Sequence, residues 1–255
     1  MMTMKKSKIF IILTLLLFVC SGQSYADLQF SGFFNYALPR GEFKDNIETN
    51  GWGLGGLLGL KLGKLPFVLG VDLGLVKYGS DEKNQHYLVE YEGELYDVPD
   101  LNITVKNSHK IFQGFFFLRY LPINKGQIRP YVDVMAGLNR LYTVTTIDYF
   151  DYPGANNNYE FTFYDPVTME WKSEEVSLLD SKESFKDVVL SYGLGVGLKI
   201  KMGYSTFLDL RMRYLFGGNA EYLKEGAIVL DGSDVSFIST MSKTNLLTFQ
   251  IGISF

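Results

Sequence analysis

From Val188 to Lys201 the chain places Val188, Leu190, Tyr192, Leu194, Val196, Leu198 and Ile200 on one parity, against Ser191, Gly193, Gly195, Gly197, Lys199 and Lys201 on the other. Successive side chains of a strand point to opposite faces, so this segment reads as a strand with one greasy face and one small or charged face. The same period recurs in eight segments. They run Leu28–Leu38, Gly51–Gly63, Pro66–Tyr78, Lys110–Leu121, Arg129–Thr143, Val188–Lys201, Tyr204–Gly217 and Thr244–Phe255. None presents a convincing helical face.

The connections alternate in length. Short stretches, "GKL", "PINKGQI" and "MG", join the second segment to the third, the fourth to the fifth and the sixth to the seventh, with the Gly, Pro, Asn and Lys of tight turns. Long polar stretches fill Pro39–Asn50, Gly79–His109, Val144–Asp187 and Gly218–Lys243. An even number of strands with long loops on one rim and short turns on the other is the organisation of a transmembrane β-barrel. A soluble eight-stranded barrel has the same strand count. Its apolar face must point inward, and an eight-stranded cylinder has no room for that many large side chains. The apolar face therefore points outward, into lipid. Aromatic residues support this at both rims: Tyr36, Trp52, Tyr142 and Tyr214 at the long-loop end, Tyr120, Tyr204 and Phe255 at the short-turn end.

The one continuous apolar run, Ile9 to Cys20, follows Lys5, Lys6 and Lys8 and precedes the small-residue ending Ser24-Tyr25-Ala26. Residues 1–26 thus read as a cleaved signal peptide and 27–255 as the barrel domain. A lipoprotein with its acyl chain on Cys20 is disfavoured by Val19, where a small residue is expected. Cys20 is the chain's single cysteine, so the expected mature chain holds no disulfide. Of 24 Lys and Arg, three lie in the leader, leaving 21 against 28 Asp and Glu. That acidic balance argues against a nucleic-acid partner.

The inward parity carries Lys61, Asp72, Arg119, Asp133, Lys199, Lys201, Asp209, Arg211 and Arg213. On the lipid face an Arg or Lys near the midplane costs about 2–4 kcal/mol, so these belong in the lumen, paired. Adjacent strands suggest Lys61 with Asp72, Arg119 with Asp133 and Lys199 with Asp209. Such a network either plugs the barrel or lines a narrow polar path, and an eight-stranded lumen is narrow enough for side chains to fill. The alternating Gly193, Gly195 and Gly197 read as room for bulky lumen neighbours such as Phe115, Phe117 or Phe207.

Catalytic signals are thin. Gly51-Trp52-Gly53-Leu54-Gly55-Gly56 matches a dinucleotide fingerprint but lies inside a strand rather than between a strand and a helix. His86 and His109 are the histidines; Ser108 and His109 point to opposite faces of a strand and so make no simple catalytic pair, and His109 is read instead as a surface histidine. Asp148, Asp151, Asp165, Glu170, Glu174 and Glu175 match no EF-hand spacing. No catalytic residue, cofactor or metal site is assigned. The second and third long stretches are strand-like and are expected to extend the barrel as aromatic, acidic hairpins suited to an extracellular protein or glycan.

With its eight amphipathic segments, the "RPYVDVMAGLNRLY" and "YSTFLDLRMRY" strands and terminal Phe255, the chain resembles the small bacterial outer-membrane barrels of the OmpA transmembrane-domain and OmpX type. The resemblance implies an all-β, eight-stranded antiparallel up-and-down transmembrane β-barrel with short periplasmic turns and long extracellular loops. It implies location in the bacterial outer membrane, contact with outer-membrane lipid, and Phe255 as a signal to the barrel-assembly machinery. The function expected is structural or surface-interacting and non-enzymatic, with Lys61, Asp72, Arg119, Asp133, Lys199, Asp209 and Arg211 closing the lumen. The alternatives are a narrow porin-like or hydrophobic-ligand passage or binding protein and, third, a lipid-modifying outer-membrane enzyme.

Overall fold

A computed structural model of the chain describes residues 28–47, 49–91, 94–123, 125–150, 158–165, 169–177, 183–231 and 234–255; the expected leader, with Cys20, lies outside them, as does Asp151. Strand accounts for most of the described residues. The elements are β1 (Leu28–Arg40), α1 (Glu42–Asn46), β2 (Gly51–Lys61), β3 (Phe67–Tyr91), β4 (Glu94–Tyr120), β5 (Ile128–Phe150), β6 (Asn158–Asp165), β7 (Glu170–Ser177), β8 (Glu183–Lys201), β9 (Phe207–Gly217), β10 (Asn219–Asp231), β11 (Asp234–Lys243) and β12 (Asn245–Ser254).

Eight of these close into a barrel in the order β1-β12-β9-β8-β5-β4-β3-β2, every neighbour antiparallel. The eight alternating segments are its wall. Closure leaves no open edge at membrane depth, which is what a bilayer, offering no water to unpaired backbone groups, demands. The seam is β1 against β12, from Ser31 opposite Ser254 to Arg40 opposite Asn245, and Phe255 and Phe30 exchange backbone hydrogen bonds beyond it.

The faces sort by parity. Leu190, Leu194 and Ile251 are 70%, 55% and 51% exposed, whereas Asn139, Arg119 and Asp133 are fully buried. An exterior of Leu, Val, Ile and Phe around a charged interior is stable only in lipid, so the chain is a transmembrane barrel of the outer-membrane type. Tyr36 and Trp52 are exposed at the long-loop rim, and Tyr120, Tyr204 and Phe255 at the short-turn rim.

The long stretches differ in fate. β3 and β4 run on as one ladder to Tyr91 opposite Glu94, β5 follows β4 as far as Phe150 opposite Asn102, and β6 pairs with β7 as a separate two-stranded sheet. Pro39–Asn50 and Gly218–Lys243 are also ordered, as α1 and the β10–β11 hairpin. Their apolar residues explain why: Phe43, Ile47, Ala220, Tyr222 and Leu223 are buried over the barrel mouth.

Candidate functional site

Parity delivers charged side chains to the lumen, and the closed wall brings residues from opposite sides within reach. Tyr131 on β5 donates its phenol proton to Asp209 on β9. Arg119 Nη1 lies 3.7 Å from the same carboxylate, and Arg119 donates to both oxygens of Asp133 at 2.7 and 2.9 Å. Asp133 also faces Arg211 Nε at 2.9 Å. Arg211 and Arg213 then both donate to one oxygen of Asp72, and Arg213 Nη2 donates to Gln113. Three arginines and three aspartates thus form one neutral chain of contacts, and all six are at most 3% exposed.

Planar guanidinium groups suit this role because they satisfy two oxygens at once and stack on rings. Arg119 does both, with its central carbon 3.6 Å above the Tyr131 ring. Phe115, Phe117 and Met135 fill the space beside the charges. The bulky groups that use the small positions of β8 are Tyr131 over Gly197 and Met135 with Arg211 and Arg213 beside Gly195, rather than Phe115, Phe117 or Phe207. A side chain at Gly197 would collide with the Tyr131 ring.

Of the three adjacent-strand pairs expected, Arg119 and Asp133 meet directly. Lys61 does not face Asp72: it stands opposite Val68, while Asp72 stands opposite Leu57 and reaches across the lumen to β9. Lys199 is in register with Asp209, but its ammonium donates to Gln29 at 3.0 Å and Ser254 at 2.8 Å. Asp209 is already engaged by Tyr131 and Arg119, so the lysine turns toward the β1–β12 seam.

A second cluster lies above the charges. His109 is fully buried, not on the surface. Its parity on β4 is that of Ile111, Gln113 and Phe115, the signal that places it inside. The ring stacks on Tyr78 at 5.7 Å, with Nδ1 2.8 Å from Thr143 Oγ1 and Nε2 3.6 Å from Asp81. The Tyr78 hydroxyl donates to the Leu223 carbonyl of β10 at 3.4 Å, which joins this layer to the hairpin above it. Phe43 of α1 covers the same layer, its ring 5.8 Å from Tyr78 and 5.1 Å from Tyr222 of β10. Three carboxylates tie the cap down through backbone amides: Asp187 accepts from Glu221 N–H, Asp81 from Gly226 N–H and Glu42 from Lys243 N–H. The lumen is therefore filled by charge in its middle and covered at its long-loop end.

Hydroxyl, imidazole and carboxylate in sequence resemble the parts of an activated nucleophile. Thr143 is only 1% exposed, however, and Tyr78 covers the ring, so no substrate reaches the hydroxyl.

No family model matches the chain, and no curated protein matches it. Among solved structures, it is similar to Neisserial surface protein A, with 11% identity over 91% of this chain and 98% of that one and a TM-score of 0.43. It is similar to a major outer membrane protein from Thermus thermophilus, with 12% identity, coverages of 90% and 98% and a TM-score of 0.43. It is also similar to the outer membrane protease OmpT from Escherichia coli, with 9% identity, coverages of 92% and 99% and a TM-score of 0.30.

Proposed function

We propose that this chain is a closed, non-enzymatic outer-membrane barrel that anchors extracellular strand extensions and passes no solute. The observation that carries this is the Asp209–Arg119–Asp133–Arg211–Asp72–Arg213 chain, which links opposite walls and leaves its members buried. Reconstituted in a planar bilayer, the protein is expected to give no reproducible single-channel steps. Regular steps in the unmodified protein would overturn the closed reading.

The extensions suit recognition of an extracellular protein or glycan. Beyond Lys77, β3 keeps β4 as its ladder partner, and beyond Val144, β5 likewise keeps only β4 among the described residues. Free strand edges offer backbone groups that an extended partner can pair with. Asp148 falls on β5, Asp165 on β6 and Glu170, Glu174 and Glu175 on β7, so the acidic residues are carried by these extensions.

Phe255 fits an assembly role, standing at the short-turn rim at the end of the closing strand. Deleting it is expected to lower the amount of folded barrel in the outer membrane severalfold, while the unfolding midpoint of barrel already assembled changes little. Unaltered membrane levels, measured by heat-modifiable gel migration, would refute this role.

A further inference from the structure

At the long-loop end Trp52 stands directly opposite Lys77, Lys77 opposite Lys110 and Lys110 opposite Tyr142. All four lie on the outward parity, between buried residues such as Val76 and Tyr78 or His109 and Ile111. Two lysines therefore stand side by side, flanked by a tryptophan and a tyrosine. Like charges directly opposite each other destabilise a sheet, and an anion between them would relieve that repulsion.

A depression of about 440 Å³ opens at this place, walled by Lys77, Lys106 and Lys110 with the hydroxyls of Ser80, Ser108 and Thr146. Asp81 and Glu82 line it as well. Asp81 accepts from Gly226 N–H and faces His109, while Glu82 stands opposite Lys106. Lys77 and Lys110 make no ion pair among the described residues. Just below them the outward row is Leu75 and Phe112, exposed to acyl chains.

We propose that Lys77 and Lys110, with the neighbouring hydroxyls, bind the phosphate of an outer-leaflet lipid headgroup. The apolar surface beneath, Leu75 and Phe112, takes that lipid's chains. Two ammonium groups on adjacent strands flank one phosphate, and hydroxyls complete its hydrogen bonds. The site rests on the membrane placement of the barrel, because the occupant follows from where the lysines lie: directly above Leu75 and Phe112, among the described residues the last exposed apolar ones of their strands on the way to the long-loop end.

Trp52, next to Lys77 in the row, is a built-in reporter. The chain has two tryptophans, so Trp171→Phe leaves Trp52 alone. That protein, full length, is reconstituted in phosphatidylcholine vesicles containing a fixed minority of brominated lipid, either phosphatidic acid or phosphatidylcholine. Quenching by brominated phosphatidic acid is expected to exceed that by brominated phosphatidylcholine about three-fold, the scale of two partly exposed ion pairs. Adding Lys77→Gln and Lys110→Gln is expected to equalise the two lipids with phosphatidylcholine quenching unchanged, and unaltered heat-modifiable migration shows that the variant still folds. Equal quenching in the parent, or a preference that survives both substitutions, overturns the site. Quenching by neither lipid overturns the membrane placement, and the site with it.

Discussion

Replacing Asp133 with alanine is expected to destabilise the barrel by about 3–5 kcal/mol, the cost of leaving a buried partner charge uncompensated. Asp133 is the hub of the lumen: it takes two hydrogen bonds from Arg119 and an ion contact from Arg211. Its loss leaves three buried guanidinium groups to two carboxylates, with no water to receive the excess charge. The measurement is the denaturant midpoint of the folded band on unheated gels. A second variant gives the result its meaning. Arg119→Met with Asp133→Val removes both charges at close to constant volume, and pairs replaced by apolar groups are often close to neutral. It is expected to recover much of the stability lost in Asp133→Ala. If the single change costs less than about 1 kcal/mol, the value of an exposed surface pair, water reaches the network and the lumen is not closed.

That network also marks how far sequence alone reaches. Parity is a local property, so Asp72, Arg119, Asp133, Lys199, Asp209, Arg211 and Arg213 can all be assigned to the lumen by counting in twos. Partnership is not local. Within one hairpin it depends on the turn: the segment from Leu62 to Pro66 sets Lys61 opposite Val68, which puts Asp72 out of its reach. Across the barrel it depends on closure. Asp72 on β3 and Arg211 on β9 are four strands apart in the wall order, on opposite sides of the cylinder, and no spacing in the chain records that they meet. Arg119 and Asp133 are legible as a pair because adjacent strands and a short turn hold them in register.

The cap is hidden for a different reason. "GEFKDNIETN" is mostly polar, and the apolar residues of "AEYLKEGAIVL" fall in two short groups that follow neither the strand nor the helix period over enough length to stand out. Phe43, Tyr222 and Leu223 gain their burial from one another and from Tyr78, a tertiary arrangement. His109 is within reach of sequence reasoning. Extending the parity of Gln113 and Ile111 by one more step takes it inside, whereas treating the stretch up to it as loop leaves it on the surface.

The sharpest test of which face meets lipid is a single arginine moved along one strand. Val196 lies midway between Tyr192 and Ile200 on β8, 48% exposed, directly opposite Val132 and Met212. Val196→Arg is expected to cost about 2–4 kcal/mol, because a guanidinium there has hydrocarbon around it. Ile200, on the same face beside the short turn, lies near the interface, and Ile200→Arg is expected to cost about 0–1 kcal/mol. The contrast is informative because the chain already buries arginines near this depth: Arg213 stands opposite Gly195, one residue from Val196, and is held by Asp72 and Gln113. Arginine is thus tolerated on one face of the wall and expelled from the other. In a soluble barrel the exposed position would accept the charge at almost no cost. Equal unfolding free energies for the two variants in lipid vesicles would therefore remove the bilayer from the account of this fold.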